Sequence, residues 1–234
     1  MVAAMAALHP FRVGAVGPVI HQRVKDLSFA AMRPLARMNH YRYRIRPPRR
    51  PERGYRLHLG SGDKYLPGCL NVDANGLRKV DLWLDLRNGL PFADDAVGAI
   101  YTFHTLEHFY PDEVHALLGE CRRVLEPGGV IRIAVPNLRT SVEMYVRRRL
   151  DWFSAWPRPS ETLGGRLSNY LFCDGQHRTA FDFDYLAEML AAAGFVTVVE
   201  RQACQSEAWT EETLRRCEGD ESDPPRSLYV EAVK

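Results

Sequence analysis

The sequence predicts an open, mostly parallel α/β sheet, and three observations carry that prediction. Short apolar runs alternate with amphipathic stretches along residues 54–234. The run "AVGAIYTFH" is apolar throughout, as a strand buried on both faces requires. Glycine and proline punctuate the segments between such runs.

In chain order, "YRLHLG" reads as the first strand, "CLNVD" as the second and "VDLWLDL" as a third that alternates at its start. "AVGAIYTFH" is the fourth. "PDEVHALLGECRRVL" places Val114, Leu117, Leu118, Cys121 and Leu125 on one helical face, with Pro111 at its start and "EPGG" as a stop. "GVIRIAVP" supplies the fifth strand. "DFDYLAEMLAAAGF" is a helix closed by Gly194, "FVTVVERQA" the next strand, and "SLYVEAVK" the last.

At 234 residues the chain suits one full domain with an extension. With 46% hydrophobic and 26% charged residues, its composition excludes wholesale disorder. Cys69, Cys121, Cys173, Cys204 and Cys217 are far apart, odd in number and without metal-type spacing, so reduced thiols and a cytoplasmic location are expected. His9, Pro10, Arg12 and Pro18 interrupt the mildly apolar start, which reads as neither a signal peptide nor a transmembrane helix.

Charge divides the chain. Residues 21–53 hold ten Lys/Arg against Asp26 and Glu52, a net of +8, which leaves about −6 for the remainder of a chain whose total is +2. Residues 1–53 therefore read as a basic, partly helical extension ending in prolines, and 54–234 as the folded domain. Such an arm can grip nucleic acid or anionic lipid, or pack over the domain's acidic surface; packing is the expectation, and nucleic acid is not the expected partner.

In "LHLGSGDKYLPGCLNVD" an apolar strand breaks into glycine and ends on an acid at the next strand's tip, as in nucleotide-cofactor sites. A dinucleotide fingerprint would place a third glycine at Tyr65 and its acid about twenty residues on, whereas Asp73 comes eleven residues after Gly62. A P-loop would need G-K-[ST], which is missing. The ordered marks "LHLGSG", "GCLNVD", "LDL", "LPFADD", "HTLEH" and "RVLEPGGVIRIAVPNL" resemble those of the class I S-adenosylmethionine-dependent methyltransferases, particularly the type 11 family. The likeness is close over about residues 57–137 and loose from His177 onward.

That resemblance implies a Rossmann-like, seven-stranded sheet with helices on both faces and a last antiparallel strand, and S-adenosylmethionine as cofactor. Leu59, Gly60, Ser61 and Gly62 would line it. Asp73 would accept from both ribose hydroxyls, and Asp85 with Leu86 would meet the adenine, although Asp85 also suits a simple cap. Gly98 departs from the family, which usually has an acid there; Asp94 or Asp95 could take over its bonds.

His104, just past the fourth strand, would also line the cofactor; it lies where relatives place groups facing the methyl, and histidine suits a base near neutrality, the alternative being that its backbone lines the cofactor while its ring only packs. His177, in "DGQHRTAF", matches a histidine before the family's last helix, and His108 completes the candidate catalytic set. In some quinone-biosynthetic relatives a similar motif is linked to a divalent cation, so His104, Glu107 and His108 form an alternative metal set, which is not favoured. Residues of about 139–180 form an insertion read as a substrate lid with a helix in it. In it Trp152, Phe153, Trp156, Tyr170 and Phe172 offer faces for a sugar ring or, equally, a small core of their own. The expected activity is O-methylation of a saccharide or other small-molecule hydroxyl by a monomer or homodimer. The alternatives are an RNA methyltransferase using the basic arm and a non-catalytic partner protein with the same fold.

Overall fold

In the computed structural model, residues 18–49, 54–219 and 222–234 are described. Met1 to Gly17 lie outside them. Helix α1 spans Pro18–Ile45. The domain then runs β1 (Tyr55–Leu59), β2 (Leu70–Asp73), β3 (Leu82–Trp83), β4 (Val97–Phe103), α2 (Pro111–Val124), β5 (Leu125–Pro136), α3 (Leu138–Val146), α4 (Leu163–Phe172), α5 (Phe183–Ala192), β6 (Val196–Arg201), α6 (Glu211–Arg215) and β7 (Ser227–Val233).

All seven strands form one sheet, ordered β3-β2-β1-β4-β5-β7-β6. β1 to β5 pair in parallel, and β7 runs antiparallel to both β5 and β6. The chain leaves β1 towards one edge and returns to β4 on its other side, so the order reverses between these two strands. Ligands of open α/β sheets sit beyond the strand ends at such a reversal.

Packing covers both faces. Leu57, Leu59, Ile100, Ile131 and Ile133 join α2 and α5 in the main core, whereas Ala99 and Tyr101 point the other way, with Leu66, Trp209 and Leu214 of α6. The alternation along β4 follows from the period of two in a strand. Val114, Leu117, Leu118 and Cys121 are buried on α2 as their spacing requires.

Where sequence and structure differ, local chemistry explains it. β3 keeps only two residues, because Asp85 caps a 3-10 turn over Leu86–Asn88. "EPGG" ends α2 yet belongs to β5, since Leu125 already pairs with Val97 across a register shift. At the opposite end of the strands from the reversal's ligand side, Lys234 Nζ holds Asp95 at 2.7 Å and Arg123 holds Asp94 at 2.7 Å, and Gly98 sits within that register shift.

Residues 138–175 carry α3 and α4, capped by Asn137 and Thr162. Trp152 and Phe153 are buried together with Met144, and Leu163, Leu167 and Tyr170 pack against them. Those aromatics form the insertion's own core, while Trp156 and Phe172 remain exposed.

A candidate methyl-transfer site

The glycine turn after β1 is shaped by two contacts. Gly60 (φ 65°) lies against Thr105, whose Oγ1 donates towards Leu59 O at 3.3 Å, so any Cβ on Gly60 would collide with that side chain. Gly62 (φ 50°) faces open space, and both positive φ values favour glycine. Its N–H donates to Asp73 Oδ2 at 2.8 Å, and Asn75 N–H donates to Oδ1 at 2.7 Å. The Asp73 carboxylate is thereby fixed at the tip of β2, beside a bare stretch of backbone. Ser61 Oγ is buried there with no hydrogen-bond partner among the described residues.

Asp85 stands at the neighbouring tip, since β3 continues β2's ladder through Leu84 N–H to Asp73 O at 3.0 Å. Asp85 Oδ1 accepts from Arg87 N–H at 3.1 Å, and Leu86 is buried beside it. The capping role foreseen for Asp85 is thus present in the structure. Open space at Gly62, a fixed carboxylate one strand away and an unpartnered buried hydroxyl fit a nucleoside-bearing cofactor without phosphate.

At the tip of β4, His104 adopts φ 50°, a left-handed conformation that costs a non-glycine residue about 1–2 kcal/mol. Its backbone N–H donates to Ala134 O at 2.8 Å. The ring is held at both nitrogens: Nδ1 lies 3.2 Å from Glu107 Oε1, and Nε2 lies 2.9 Å from Ser227 Oγ. In the neutral ring the proton belongs on Nδ1, facing the carboxylate, which leaves the Nε2 lone pair towards the serine hydroxyl.

Glu107 is fully buried. Burial alone would raise its pKa, but the hydrogen bond from His104 holds the carboxyl below its ordinary range. It stays ionised at neutral pH. Its Oε2 has no hydrogen-bond partner.

Residues 176–179 return to this place. Arg178 and Thr179 N–H groups both donate to Glu107 O, at 2.6 and 3.2 Å, and Thr179 Oγ1 donates to Phe109 O at 2.7 Å. His177 therefore meets His108, with ring centroids 5.1 Å apart. His108 Nδ1 faces Gln176 O and His177 Nδ1 faces Leu171 O, each at 3.1 Å, which places both protons on Nδ1 and both lone pairs on Nε2. Burial, followed by the neighbouring histidines, lowers the His177 pKa to about 4, so that ring is neutral at pH 7.

All three candidate histidines converge with Glu107. Among the described residues, the metal-type cluster is Glu107, His108 and His177, whose ligand atoms lie within 4.8 Å of one another. His104 touches the same carboxylate, so His177 joins a group that sequence spacing drew as His104, Glu107 and His108. Ser227 was missed. A usable signal existed: the last strand runs antiparallel, so its first residue lies beside the tips where the parallel strands end.

A seven-stranded sheet of this order, with β7 antiparallel and a glycine turn and an acid on adjacent strand tips, is the Rossmann-like arrangement expected from the sequence. Residues 74–133, about a quarter of the chain, match a family model described as a methyltransferase domain, of type 11. Solved structures similar to the chain include a SAM-dependent methyltransferase from Archaeoglobus fulgidus (16% identity, 89% of this chain and 94% of that one, TM-score 0.49). A methyltransferase in complex with the Trm112 methyltransferase activator of Haloferax volcanii gives the same four values: 16%, 89%, 94% and 0.49. A SAM-dependent methyltransferase from Thermotoga maritima gives 14%, 92%, 98% and 0.48. A comparison with curated proteins finds no match.

Proposed function

We propose that the protein O-methylates a small-molecule hydroxyl, a saccharide being the favoured acceptor class, with His104 as general base. The observation that carries this reading is the His104 ring, strained into a left-handed turn and held between an ionised buried carboxylate and a hydroxyl. Bound S-adenosylmethionine supplies an electrophilic methyl group. Gly60, Ser61, Gly62 and Asp73 hold it, with Asp85 and Leu86 towards the adenine. The acceptor hydroxyl takes the place of Ser227 Oγ at His104 Nε2, gives its proton there, and Glu107 stabilises the resulting imidazolium. His177, with a pKa near 4, is too weakly basic for this task. Trp156 and Phe172 offer exposed faces on which a sugar ring can stack.

The test is a screen of saccharide and phenolic acceptors with labelled cofactor, with the methylated atom mapped in the product. His104→Ala should lower turnover about 10²- to 10⁴-fold at unchanged cofactor affinity. A His104→Ala enzyme with full turnover, or a product methylated on nitrogen or carbon, refutes the proposal.

One observation favours a second reading. Glu107, His108 and His177 present three ligand atoms together, with both Nδ1 protons tied to carbonyls and Glu107 Oε2 unpartnered. Such a set suits a divalent metal able to orient acceptor oxygens. In that case a chelator abolishes activity, a divalent ion restores it, and His108→Ala and His177→Ala are each as damaging as His104→Ala.

A further inference from the structure

Neither the cofactor site nor the base uses the outer side of α1. Its inner side packs on the domain: Ala36 is buried, Asn39 Nδ2 donates to Trp83 O at 3.3 Å, and Tyr43 rests against the main core. On the opposite side Leu27, Ala31, Leu35, Met38, Tyr41 and Ile45 recur every three or four residues, the spacing of one helical face. They are exposed, Leu27 to 69%, Met38 to 66%, Tyr41 to 67% and Ile45 to 76%. At 100° per residue, Arg37 and Arg44 flank one margin of this stripe, Arg42 falls within it beside Leu35, and Arg46 follows the helix end, all exposed.

We propose that this face docks α1 flat on an anionic bilayer, with the apolar stripe at the acyl boundary and the arginines among the lipid phosphates. Charge selects this occupant. A second copy of the chain would bring like rows of arginine together, and RNA would meet the arginines while leaving the stripe in water. An anionic membrane satisfies both features at once. Among the described residues no helix is long and apolar enough to cross a membrane, so α1 lies on the surface. The net of about −6 outside residues 21–53 is repelled by the same surface, which orients the protein arm-first.

The experiment is flotation of the full chain with vesicles of phosphatidylcholine, alone or mixed with phosphatidylglycerol. The expected result is binding to the mixed vesicles, weakened by salt, and lowered about 10-fold or more by Met38→Asp or Ile45→Asp, which lie in solvent and leave the melting transition in place. The proposal is overturned if wild type ignores the mixed vesicles or if both variants float like wild type. It is equally overturned if wild type is a dimer that Met38→Asp splits while vesicles capture nothing, or if the arm binds an oligoribonucleotide and no vesicle.

Discussion

Replacing Glu107 with Gln keeps the side chain's shape and removes its charge. The carboxylate lies 3.2 Å from His104 Nδ1 and is fully buried, so water cannot substitute for it. When the ring takes a proton at Nε2, this contact becomes a hydrogen bond between two charged groups, and such bonds are worth about 1.5–3 kcal/mol. At about 1.4 kcal/mol per factor of ten, its loss in the transition state lowers kcat about 10- to 150-fold. The glutamine amide can also donate to Nδ1, which would move the ring proton to Nε2 and deepen the loss. Steady-state kinetics at saturating cofactor reads kcat, and calorimetry should show unchanged cofactor affinity, which separates this role from a collapsed site. Glu107→Gln with wild-type kcat would show that His104 is not oriented and charge-stabilised by this carboxylate.

Asp73→Ala should weaken S-adenosylmethionine binding by about 1.5–3 kcal/mol in calorimetry, because the ribose hydroxyls lose a charged acceptor; unchanged affinity would remove Asp73 from the site. Arg132 and Glu218 are both wholly buried and joined by two bonds of 2.7 Å, with Tyr101 also donating to Glu218. Glu218→Leu alone should therefore cost about 3–5 kcal/mol in urea unfolding, and adding Arg132→Met should recover much of it. Burial lowers His58 and His177 to about 4, so the folded chain binds fewer protons than the unfolded chain between that value and the ordinary 6.5. Stability is then full above pH 6.5 and falls as the pH drops, by up to about 2 kcal/mol per histidine at pH 5; a urea midpoint constant from pH 7 to 5 would contradict this.

Much of this was legible because it is local. The spacing of Val114, Leu117, Leu118 and Cys121 determines which face of α2 is buried, and the apolar run of β4 announces a central strand. The glycine turn and Asp73 could be read together because they lie only eleven residues apart. The meeting of Glu107 with His177, seventy residues on, could not, since it depends on residues 176–179 bonding back to the tip of β4. Nor could the partnership of His104 and Ser227, which follows from the antiparallel register of the last strand. The insertion holds two helices where one was expected, because α4 opens on Gly164 and Gly165, poor helix formers, and a Thr162 cap with a few contacts to Trp152 and Phe153 sustains it.

The insertion is tied by hydrogen bonds to the strand end that carries Ser227. Arg226 Nε donates to Trp152 O at 2.7 Å, Trp152 Nε1 donates to Pro224 O at 2.7 Å, and Tyr170 donates its hydroxyl to Arg226 O. Arg226 immediately precedes Ser227, whose Oγ meets His104 Nε2. A molecule wedged between α4 and the sheet would pull on this linkage, and the residue at its end is the one that must yield its place to an acceptor hydroxyl. If His104 is the base, Ser227 must give up its place at Nε2 to the acceptor, so a displacement of the insertion would be felt there through Arg226.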